Sequence, residues 1–397
     1  MNPVWSPNSW KKLANNYEFH YPDPAVLPAI LQDLCHSDPL VTACEIDSLR
    51  IAIALVGRGQ AFILHAGDCA EAFHAFSSAY VTQQIDLLLK MRCIISQDTQ
   101  LPLITIGRIA GQYAKPRTLT HEVRNGVRLP SYQGDLINQA GFNRIARTPN
   151  PNFLMLGYQY AKLTRELMDQ RLFGHTHPVY TSHEALHLPY EQAFTRQVDG
   201  RWYLLSTHLP WIGMRAAFPG SAHVNFLSGV DNPIGLKVGP NLLPEDLVQL
   251  VECLNPQGID GKLLLITRMG ADLIAAKLPA LINAVQACGI PVTWMCDPMH
   301  GNTICTARGI KTRHMSTIVS EMHQSMLIHE QLACVFSGAH FELTAQNVTE
   351  CLGGKIGITE KDLSDAYHTL VDPRLNNDQS LEIAGYLHHF LHNKNYL

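Results

Sequence analysis

Short apolar runs rich in β-branched residues alternate along this chain with longer segments of helical periodicity. Each apolar run ends in polar sequence that contains Gly or Pro. Eight such runs occur: AFILHAGDCAE, PLITIGRIAGQ, PVYTSHEALH, WYLLSTHLPWIGMR, NPIGLKVGP, KLLLITRMG, PVTWMCDPMHGNT and CVFSGAHFELT. Most of the gaps hold helix-period sequence: YVTQQIDLLLKMRCII, NFLMLGYQYAKLTRELMDQ, PEDLVQLVECL, DLIAAKLPALINAVQAC and MSTIVSEMHQSMLIHEQLA. Strands that alternate with helices predict parallel strands joined by helical crossovers.

The eight strands predict an α/β fold of the closed (β/α)8 type, a TIM barrel. The alternative is an open doubly wound sheet, which usually carries a Gly-rich phosphate loop after its first strand. Here the first strand ends in GDCAE, and no GxGxxG or Walker sequence occurs. We predict that residues 1–55 form an N-terminal helical extension on the outside of the barrel and that residues 56–397 form the barrel domain.

Two gaps do not fit this regular pattern. Residues 107–150 are too polar and too rich in Gly and Pro for a helix, and a long irregular connection is typically functional or disordered. The gap before the fourth predicted strand spans only about ten residues. Either that crossover is abbreviated or the strand assignment there is wrong.

Composition limits the class of protein. Of the 397 residues, 46% are hydrophobic and 16% charged, which excludes a disordered chain, and the net charge of −4 argues against a nucleic-acid partner. The N-terminal sequence lacks the apolar core of a signal peptide, and no apolar run is long enough to span a bilayer. We therefore expect a cytoplasmic protein without a membrane partner, whose ten cysteines are mostly free thiols and include no CxxC pair.

Ionisable residues follow nearly every predicted strand. In a barrel of parallel strands, functional residues collect on the loops at the C-terminal strand ends. Six cations would meet there, and they would repel one another unless anions neutralise them: Arg108, Lys115, Arg117, Arg215, Lys237 and Arg268. This pattern predicts a small substrate that carries phosphate or carboxylate groups. The alternative is that about half of these side chains point outward into surface ion pairs.

A second group of strand-end residues offers metal ligands. Cys69, His300, Glu342 and, with less support, Asp372 supply a thiolate, an imidazole and carboxylates, a mixture that suits Mn²⁺, Fe²⁺, Co²⁺ or Zn²⁺. Spacing alone does not identify them as ligands because they are far apart in the chain. The residues by themselves indicate a metal-assisted barrel enzyme that acts on small phosphorylated or carboxylated molecules, with the ion polarising a carbonyl.

Several motifs of this chain closely resemble those of class II 3-deoxy-D-arabino-heptulosonate 7-phosphate (DAHP) synthases. They lie in order between about residues 40 and 385: GDCAE, GRIAGQYAKPR, TSHEALHLPYE, KVGP, LITRMGA, DPMHGNT, HFELT, VTECLGG and DPRLN. The resemblance implies a (β/α)8 barrel and the condensation of phosphoenolpyruvate with erythrose 4-phosphate, the first step of the shikimate pathway. It also implies a homo-oligomer and a divalent ion, with Mn²⁺ preferred over Co²⁺, Fe²⁺ or Zn²⁺.

The resemblance assigns a role to each candidate residue. The metal would be bound by Cys69, His300, Glu342 and Asp372. Phosphoenolpyruvate would be held by Arg108, Arg215, Lys237 and Arg268, and the aldehyde by Lys115, Arg117 and Thr118. Lys115 or His300 would move protons, and Glu184 would orient water or support the site from behind.

The chain departs from the family pattern after the fourth strand. Met214 stands where the family has Glu beside phosphoenolpyruvate, Ala217 replaces an Arg, and Asn225 replaces a Glu. These changes leave two alternatives open: condensation of phosphoenolpyruvate with a different aldehyde, and a catalytically weak paralogue with a regulatory role. The chain is also short for its family, so we expect reduced or absent feedback inhibition.

Overall fold

Eight parallel strands form a closed barrel, which confirms the predicted fold class. The computed structural model of the protein describes residues 5–392. Each barrel strand pairs with the strands before and after it in the chain, and the last pairs with the first. The barrel strands are β1 (Phe62–Gly67), β2 (Leu103–Arg108), β3 (Val179–Glu184), β4 (Leu209–Ile212), β5 (Ile234–Val238), β6 (Leu263–Thr267), β7 (Thr293–Cys296) and β8 (Phe336–Glu342).

Helices precede, connect and follow the strands. All five helices predicted from periodicity are present, and their ends differ from the predicted ends by two residues or fewer. In chain order the α-helices are α1 (Val26–His36), α2 (Ala43–Gly57), α3 (Ser78–Ile95), α4 (Arg144–Arg147), α5 (Asn152–Leu172), α6 (Leu188–Ala193), α7 (Ala222–Ser228), α8 (Pro244–Leu254), α9 (Ile274–Cys288), α10 (Met315–Gln331) and α11 (Asn377–His392).

The fourth predicted strand is only partly correct. Its first residues belong to Arg201–Leu204, which pairs antiparallel with Thr195–Val198 in a hairpin outside the barrel. The turn is Asp199-Gly200, and both residues have positive φ, as a two-residue hairpin turn requires. The barrel strand β4 is the shorter segment Leu209–Ile212, and the crossover before it is abbreviated to α6 and this hairpin.

The long irregular gap contains a second hairpin. His121–Arg124 pairs antiparallel with Val127–Pro130 around Asn125-Gly126, which again has positive φ at both positions. The two-residue connection and its Asn-Gly sequence are the strongest short-range hairpin signal in a sequence. The segment is therefore ordered, and it lies beside the C-terminal mouth of the barrel together with Lys115 and Arg117.

Helix α2 closes the N-terminal end of the barrel instead of lying along its side. Leu49, Ile53 and Val56 form one apolar cluster with Ile63 of β1 and Ile266 of β6, among others. The helix starts with a capping box in which Thr42 and Glu45 exchange hydrogen bonds. It crosses residue 55, where we expected the extension to end. The division into 1–55 and 56–397 stays a prediction, and residues 1–4 and 393–397 lie outside the described residues.

Two further expectations concern membrane-spanning helices and the state of the cysteines. Between residues 5 and 392, no helix combines the length and the apolar character needed to cross a membrane. All ten cysteines are unpaired, and Cys69, Cys296 and Cys351 are buried. The thiol of Cys69 is therefore available as a ligand.

The apolar packing of α2 against the N-terminal end of the barrel contributes to stability, and this contribution can be tested. Ile53 is fully buried and Ile51, two residues away, is 64% exposed. Because Ile53→Ala leaves a cavity, we expect it to lower the free energy of unfolding by about 2–4 kcal/mol. The control Ile51→Ala should change it by less than about 0.5 kcal/mol. Urea denaturation of both variants measures the difference, and equal midpoints would contradict the packing described here.

Candidate active site

A cleft of about 250 Å³ opens at the C-terminal ends of the barrel strands. It brings together every site residue predicted from the sequence except Cys69 and Glu342, which are buried directly beneath it. All six predicted cations reach the cleft, so the alternative in which half of them point outward is wrong. The predicted residues in its lining are Arg108, Lys115, Arg117, Thr118, Glu184, Met214, Arg215, Lys237, Arg268, His300 and Asp372.

The four predicted metal ligands converge on one cationic atom, Nζ of Lys115. The ammonium lies 3.4 Å from Cys69 Sγ and 3.4 Å from His300 Nε2. It lies 2.5 Å from Glu342 Oε1 and 3.2 Å from Asp372 Oδ2. Ligand atoms of Cys69, Glu342 and Asp372 are all within 4.8 Å of one another. The sequence placed Lys115 near an aldehyde, whereas here it contacts all four donor atoms at the edge of the cleft.

His300 is oriented toward this point by Asp297. Its Nδ1 lies 2.7 Å from Asp297 Oδ2, so Nδ1–H donates to the carboxylate and Nε2 faces the donor cluster. The Nε2 atom lies 3.0 Å from Glu342 Oε1. A carboxylate that holds the far nitrogen of an imidazole is the usual arrangement around a metal-binding histidine. Asp297 was absent from the predicted ligand set, and it also lies close to His340.

Glu342 is held as a carboxylate by the cations around it. Burial alone would raise its pKa, but His300, Lys115, Arg313 and Arg108 lower it well below its usual range. Arg313 is completely buried, with Nη2 2.9 Å from Glu342 Oε2, and Arg108 Nη2 lies 3.0 Å from Oε1. Glu342 is thus charged and fixed at any physiological pH.

The donor set fits a divalent transition metal. It combines one sulfur and two carboxylates within 4.8 Å of one another, and His300 Nε2 joins them through its 3.0 Å approach to Glu342. His300 also belongs to a second candidate group with Asp297 and His340. The mixture of donors is a borderline-soft environment. Burial, followed by the charge of Glu342, raises the pKa of the Cys69 thiol to about 12. A bound cation would reverse this effect, because metal coordination displaces the thiol proton.

Lys237 and Arg108 form the cationic floor of the cleft over Trp211. Lys237 Nζ lies 2.5 Å from Asp297 Oδ2, and the Arg108 guanidinium lies 5.0 Å from the Trp211 ring centre. Burial lowers the pKa of Lys237 to about 8, although Asp297 acts in the opposite direction. An anion bound here would replace the hydration that Lys237 has lost.

On one wall of the cleft, Arg215 connects the residues predicted to bind phosphoenolpyruvate with those predicted to bind the aldehyde. Its Nη2 donates to Thr118 Oγ1 at 2.5 Å, so the residues predicted to hold two different molecules share one surface. The neighbouring Arg117 has a buried Nη1 with no hydrogen-bond partner and only a distant ion pair with Glu122, at 3.9 Å. Arg117 and Arg215 therefore keep donors for an incoming anion.

Met214 replaces an acid at the centre of the cleft, beside Arg268. Arg268 Nη1 lies 3.2 Å from the Met214 sulfur, Nη2 donates to the carbonyl of His300, and Nε has no partner. Within residues 5–392, Arg268 forms no ion pair, so its charge is available to a ligand. Of the other two departures, Ala217 is buried beside the cleft, and Asn225 lies on α7 away from the cleft lining.

Glu184 is the one acid in the lining that lacks a partner for a carboxylate oxygen. Its Oε1 atom is buried without a hydrogen bond, and burial raises the pKa of the carboxyl although four nearby cations lower it. A Cβ at Gly213 would come within 1.9 Å of this oxygen, so only glycine leaves room for the side chain. The carboxyl can therefore exchange a proton or hold a water in the cleft.

Three buried glutamates that sequence reasoning missed brace the loops of the site. Glu71 accepts the amide hydrogens of residues 110–112 after β2, and Glu350 accepts those of residues 368, 369 and 374, near Asp372. Glu321 accepts the amides of Met269 and Gly270 and the side chain of Asn302. It thereby joins the loop of Arg268 to the loop of His300. Acids inside helical or loop sequence gave no signal of this function.

Fold and site together define a (β/α)8-barrel protein whose C-terminal cleft gathers cations beside a cluster of metal-type donor atoms. The sequence profile of the Class-II DAHP synthetase family matches residues 5–173 and 168–388, which together cover nearly the whole chain. The chain belongs to this family of enzymes. Members generally depend on a divalent metal ion, and the structure contains candidate ligand groups for one.

Curated relatives agree with this assignment. The chain is 39% identical over 429 residues to the phospho-2-dehydro-3-deoxyheptonate aldolase of Streptomyces coelicolor, covering 95% of each protein. It is 36% identical to the enzyme of the same name from Neurospora crassa, covering 96% of this chain and 93% of that protein. That name is a synonym of DAHP synthase, so the predicted enzyme class is confirmed.

A solved structure supports the fold. The phospho-2-dehydro-3-deoxyheptonate aldolase from Francisella tularensis SCHU S4 superposes with a TM-score of 0.55 at 17% sequence identity. The match covers 95% of this chain and 98% of that one. At this identity the similarity concerns the barrel fold alone.

The contact between Asp297 and His300 leads to a prediction for metal affinity. Asp297→Asn removes the carboxylate that orients His300 and should weaken Mn²⁺ binding by about 10–100-fold. Calorimetric titration of metal-stripped protein measures the change. The exposed Asp272→Asn on the same rim serves as the control and should bind Mn²⁺ like the parent protein. Equal affinity in the two variants would contradict the assigned orientation.

Proposed function

We propose that this protein condenses phosphoenolpyruvate with erythrose 4-phosphate to give DAHP and inorganic phosphate, and so opens the shikimate pathway to aromatic amino acids. The observation that carries the proposal is that four donor atoms surround the Lys115 ammonium beside a cleft with seven cationic side chains, the six predicted ones and Lys311. A two-substrate reaction of two phosphorylated molecules needs both features.

Cys69, His300, Glu342 and Asp372 would hold the divalent ion, for which we propose Mn²⁺, with Co²⁺, Fe²⁺ or Zn²⁺ as alternatives. When bound, such an ion acts as a Lewis acid on the carbonyl of the aldehyde. The buried Arg313 and Arg108 keep Glu342 ionised and fixed, so the ligand geometry is set before the ion arrives.

The cationic side chains would bind the two substrates in register. We assign the phosphate and carboxylate of phosphoenolpyruvate to Arg108, Arg215, Lys237 and Arg268, and the aldehyde phosphate to Arg117 and Thr118. The hydrogen bond from Arg215 to Thr118 supports a shared wall between the two sites. Holding both molecules there lowers the entropic cost of their encounter.

Residues between the proposed metal site and the proposed substrate site would assist proton transfer and the addition of water. C3 of phosphoenolpyruvate attacks the aldehyde carbon, water adds to C2, and the tetrahedral intermediate expels phosphate. Glu184 is the best candidate to orient that water because its Oε1 is unpartnered and its pKa is raised. Lys115 is the candidate to protonate the new alkoxide because its ammonium contacts the donor cluster. His300, the other residue predicted for this role, would have Nε2 on the ion and Nδ1–H on Asp297.

A second candidate function keeps phosphoenolpyruvate and changes the aldehyde. A separate cavity of about 230 Å³ adjoins the main cleft at the position of the family departures and is lined by Met214, Ala217, Lys237, Gly239, Asn241 and Leu242. An arginine at 217 would fill much of it, whereas a glutamate at 214 would be no larger than Met214. The space favours an acceptor with an additional apolar group.

Phosphate release tests the proposal. Metal-stripped protein reconstituted with Mn²⁺ should release phosphate from phosphoenolpyruvate only when an aldehyde acceptor is present. Cys69→Ala should abolish release, whereas the exposed Cys93→Ala should retain the parent rate.

A panel of phosphorylated and unphosphorylated aldehydes distinguishes the two candidate functions. Faster turnover with erythrose 4-phosphate supports the first, and faster turnover with a larger apolar aldehyde supports the second. Binding of Mn²⁺ and phosphoenolpyruvate without turnover of any aldehyde would contradict both and identify a regulatory paralogue.

The pH dependence follows from the lowered pKa of Lys237. Its ammonium form is the one that binds phosphate, and it is lost as pH rises through about 8. The KM for phosphoenolpyruvate should therefore rise above pH 8, with the KM for the aldehyde less affected. Lys237→Arg should move this rise to higher pH because the guanidinium stays charged. An unchanged profile in that variant would assign the titration to another group.

A further inference from the structure

Arg108 is held by four hydrogen-bond acceptors. Its Nε donates to the Asp68 carbonyl at 2.7 Å, and Nη2 donates to the Cys69 carbonyl at 2.9 Å and to Glu342 at 3.0 Å. The fourth acceptor is Nε2 of His340, 2.8 Å from Nη1. A guanidinium has five N–H groups, so one hydrogen on Nη1 remains for the cleft. Because the guanidinium is a rigid plane, the four contacts together fix the direction of that hydrogen, and His340 is the one contact on Nη1 itself.

His340 begins a chain of hydrogen bonds inside the barrel, beneath the site. Its Nδ1 lies 2.9 Å from Nδ1 of His65. The Nε2 of His65 lies 2.7 Å from Ser182 Oγ, which donates to the carbonyl of Gly107 at 2.8 Å. His65, Ser182 and His340 are all completely buried, so no solvent satisfies these atoms.

The two ends of this chain fix the position of every proton in it. Arg108 only donates, so His340 Nε2 must accept and its proton must be on Nδ1. His65 Nδ1 then accepts that proton, and its own proton must be on Nε2, facing Ser182. At the other end the Gly107 carbonyl only accepts, which agrees with this direction. Each imidazole is neutral and has one permitted tautomer.

A neutral acceptor suits this position for an electrostatic reason. A second carboxylate at 340 would fix Arg108 equally well but would cancel its remaining charge and weaken its attraction for an anion. Burial, followed by the charges of Lys237 and Arg108, lowers the pKa of His65 well below its usual value. The pair orients Arg108 without neutralising it.

We propose that His65 and His340 are positioning residues that aim the free Nη1 hydrogen of Arg108 at the anionic substrate. His65 acts indirectly: it does not contact Arg108 and is not itself part of the cleft lining, and it works by holding the tautomer of His340. Its ring packs edge-on against Trp211 of the lining, with 5.5 Å between the ring centres. This inference rests on the proposed function only in naming that substrate as phosphoenolpyruvate.

The tautomers are measured on the full chain without substrate. In ¹⁵N-histidine-labelled protein, the imidazole shifts should identify the Nδ1–H form of His340 and the Nε2–H form of His65. The two residues are assigned by the signals lost in His65→Asn and His340→Gln. Any other tautomer, or a charged imidazole, overturns the proposal whatever the protein catalyses.

A pair of variants at position 65 separates positioning from structural damage. In His65→Asn the amide oxygen can accept from His340 Nδ1–H, as the imidazole does, whereas His65→Leu offers no acceptor. We expect His65→Leu to raise the dissociation constant of phosphoenolpyruvate by about 10-fold and His65→Asn to stay within about threefold of the parent protein. Calorimetric titration with phosphoenolpyruvate alone, without an aldehyde, gives the values.

Affinity for Mn²⁺ is the matched control, because neither Glu342 nor Cys69 contacts His65. Both contact Arg108 through Nη2 and not through the Nη1 atom that His340 holds. The affinity for Mn²⁺ should be unchanged in both variants. Equal weakening of phosphoenolpyruvate binding by Leu and Asn, or weakening that follows Mn²⁺ affinity, would overturn the positioning role. If the parent protein binds no phosphoenolpyruvate, the proposed function fails, and the tautomer measurement still decides the inference.

Discussion

The architecture of this active site depends on one constraint: a buried cluster of electron-rich atoms requires a cation at its centre. Glu342 is completely buried, and a charge there is tolerated only when it is paired and hydrogen-bonded. Arg313, Arg108 and Lys115 supply that pairing, and each comes from a different loop or strand. All three contact the same carboxylate, so the contacts that hold the ligands also fix the cleft above them.

The other residues of the site are connected to this cluster by hydrogen bonds and ion pairs. Arg108 links Glu342 to the imidazole pair in the barrel, and Asp297 links the imidazole of His300 to Lys237. Arg268 is connected to the same loop through the His300 carbonyl. The groups proposed to hold the ion and the groups proposed to hold the substrate are therefore one hydrogen-bonded network.

Most of this arrangement could be predicted from the sequence, because barrel topology places the C-terminal ends of successive strands around one mouth. Residues as far apart as Cys69 and Asp372 could be brought together from periodicity and family motifs alone. Both hairpins were missed although Asp199-Gly200 and Asn125-Gly126 are strong turn signals. At Asp199-Gly200, the reason is that the apolar run after position 201 resembles a barrel strand. His65 and His340 were missed because a single polar residue inside an apolar strand has no periodic signal, and its partner lies on another strand.

The central claim is that one thiolate, one imidazole and two carboxylates meet around a single divalent ion. X-ray absorption spectroscopy of the Co²⁺-substituted protein measures this directly. The account predicts a first shell with one sulfur and a mixture of nitrogen and oxygen ligands, and loss of the sulfur contribution in Cys69→Ser. A shell of light atoms alone in the parent protein would contradict it, because the ion would then lie away from the point on which these four side chains converge.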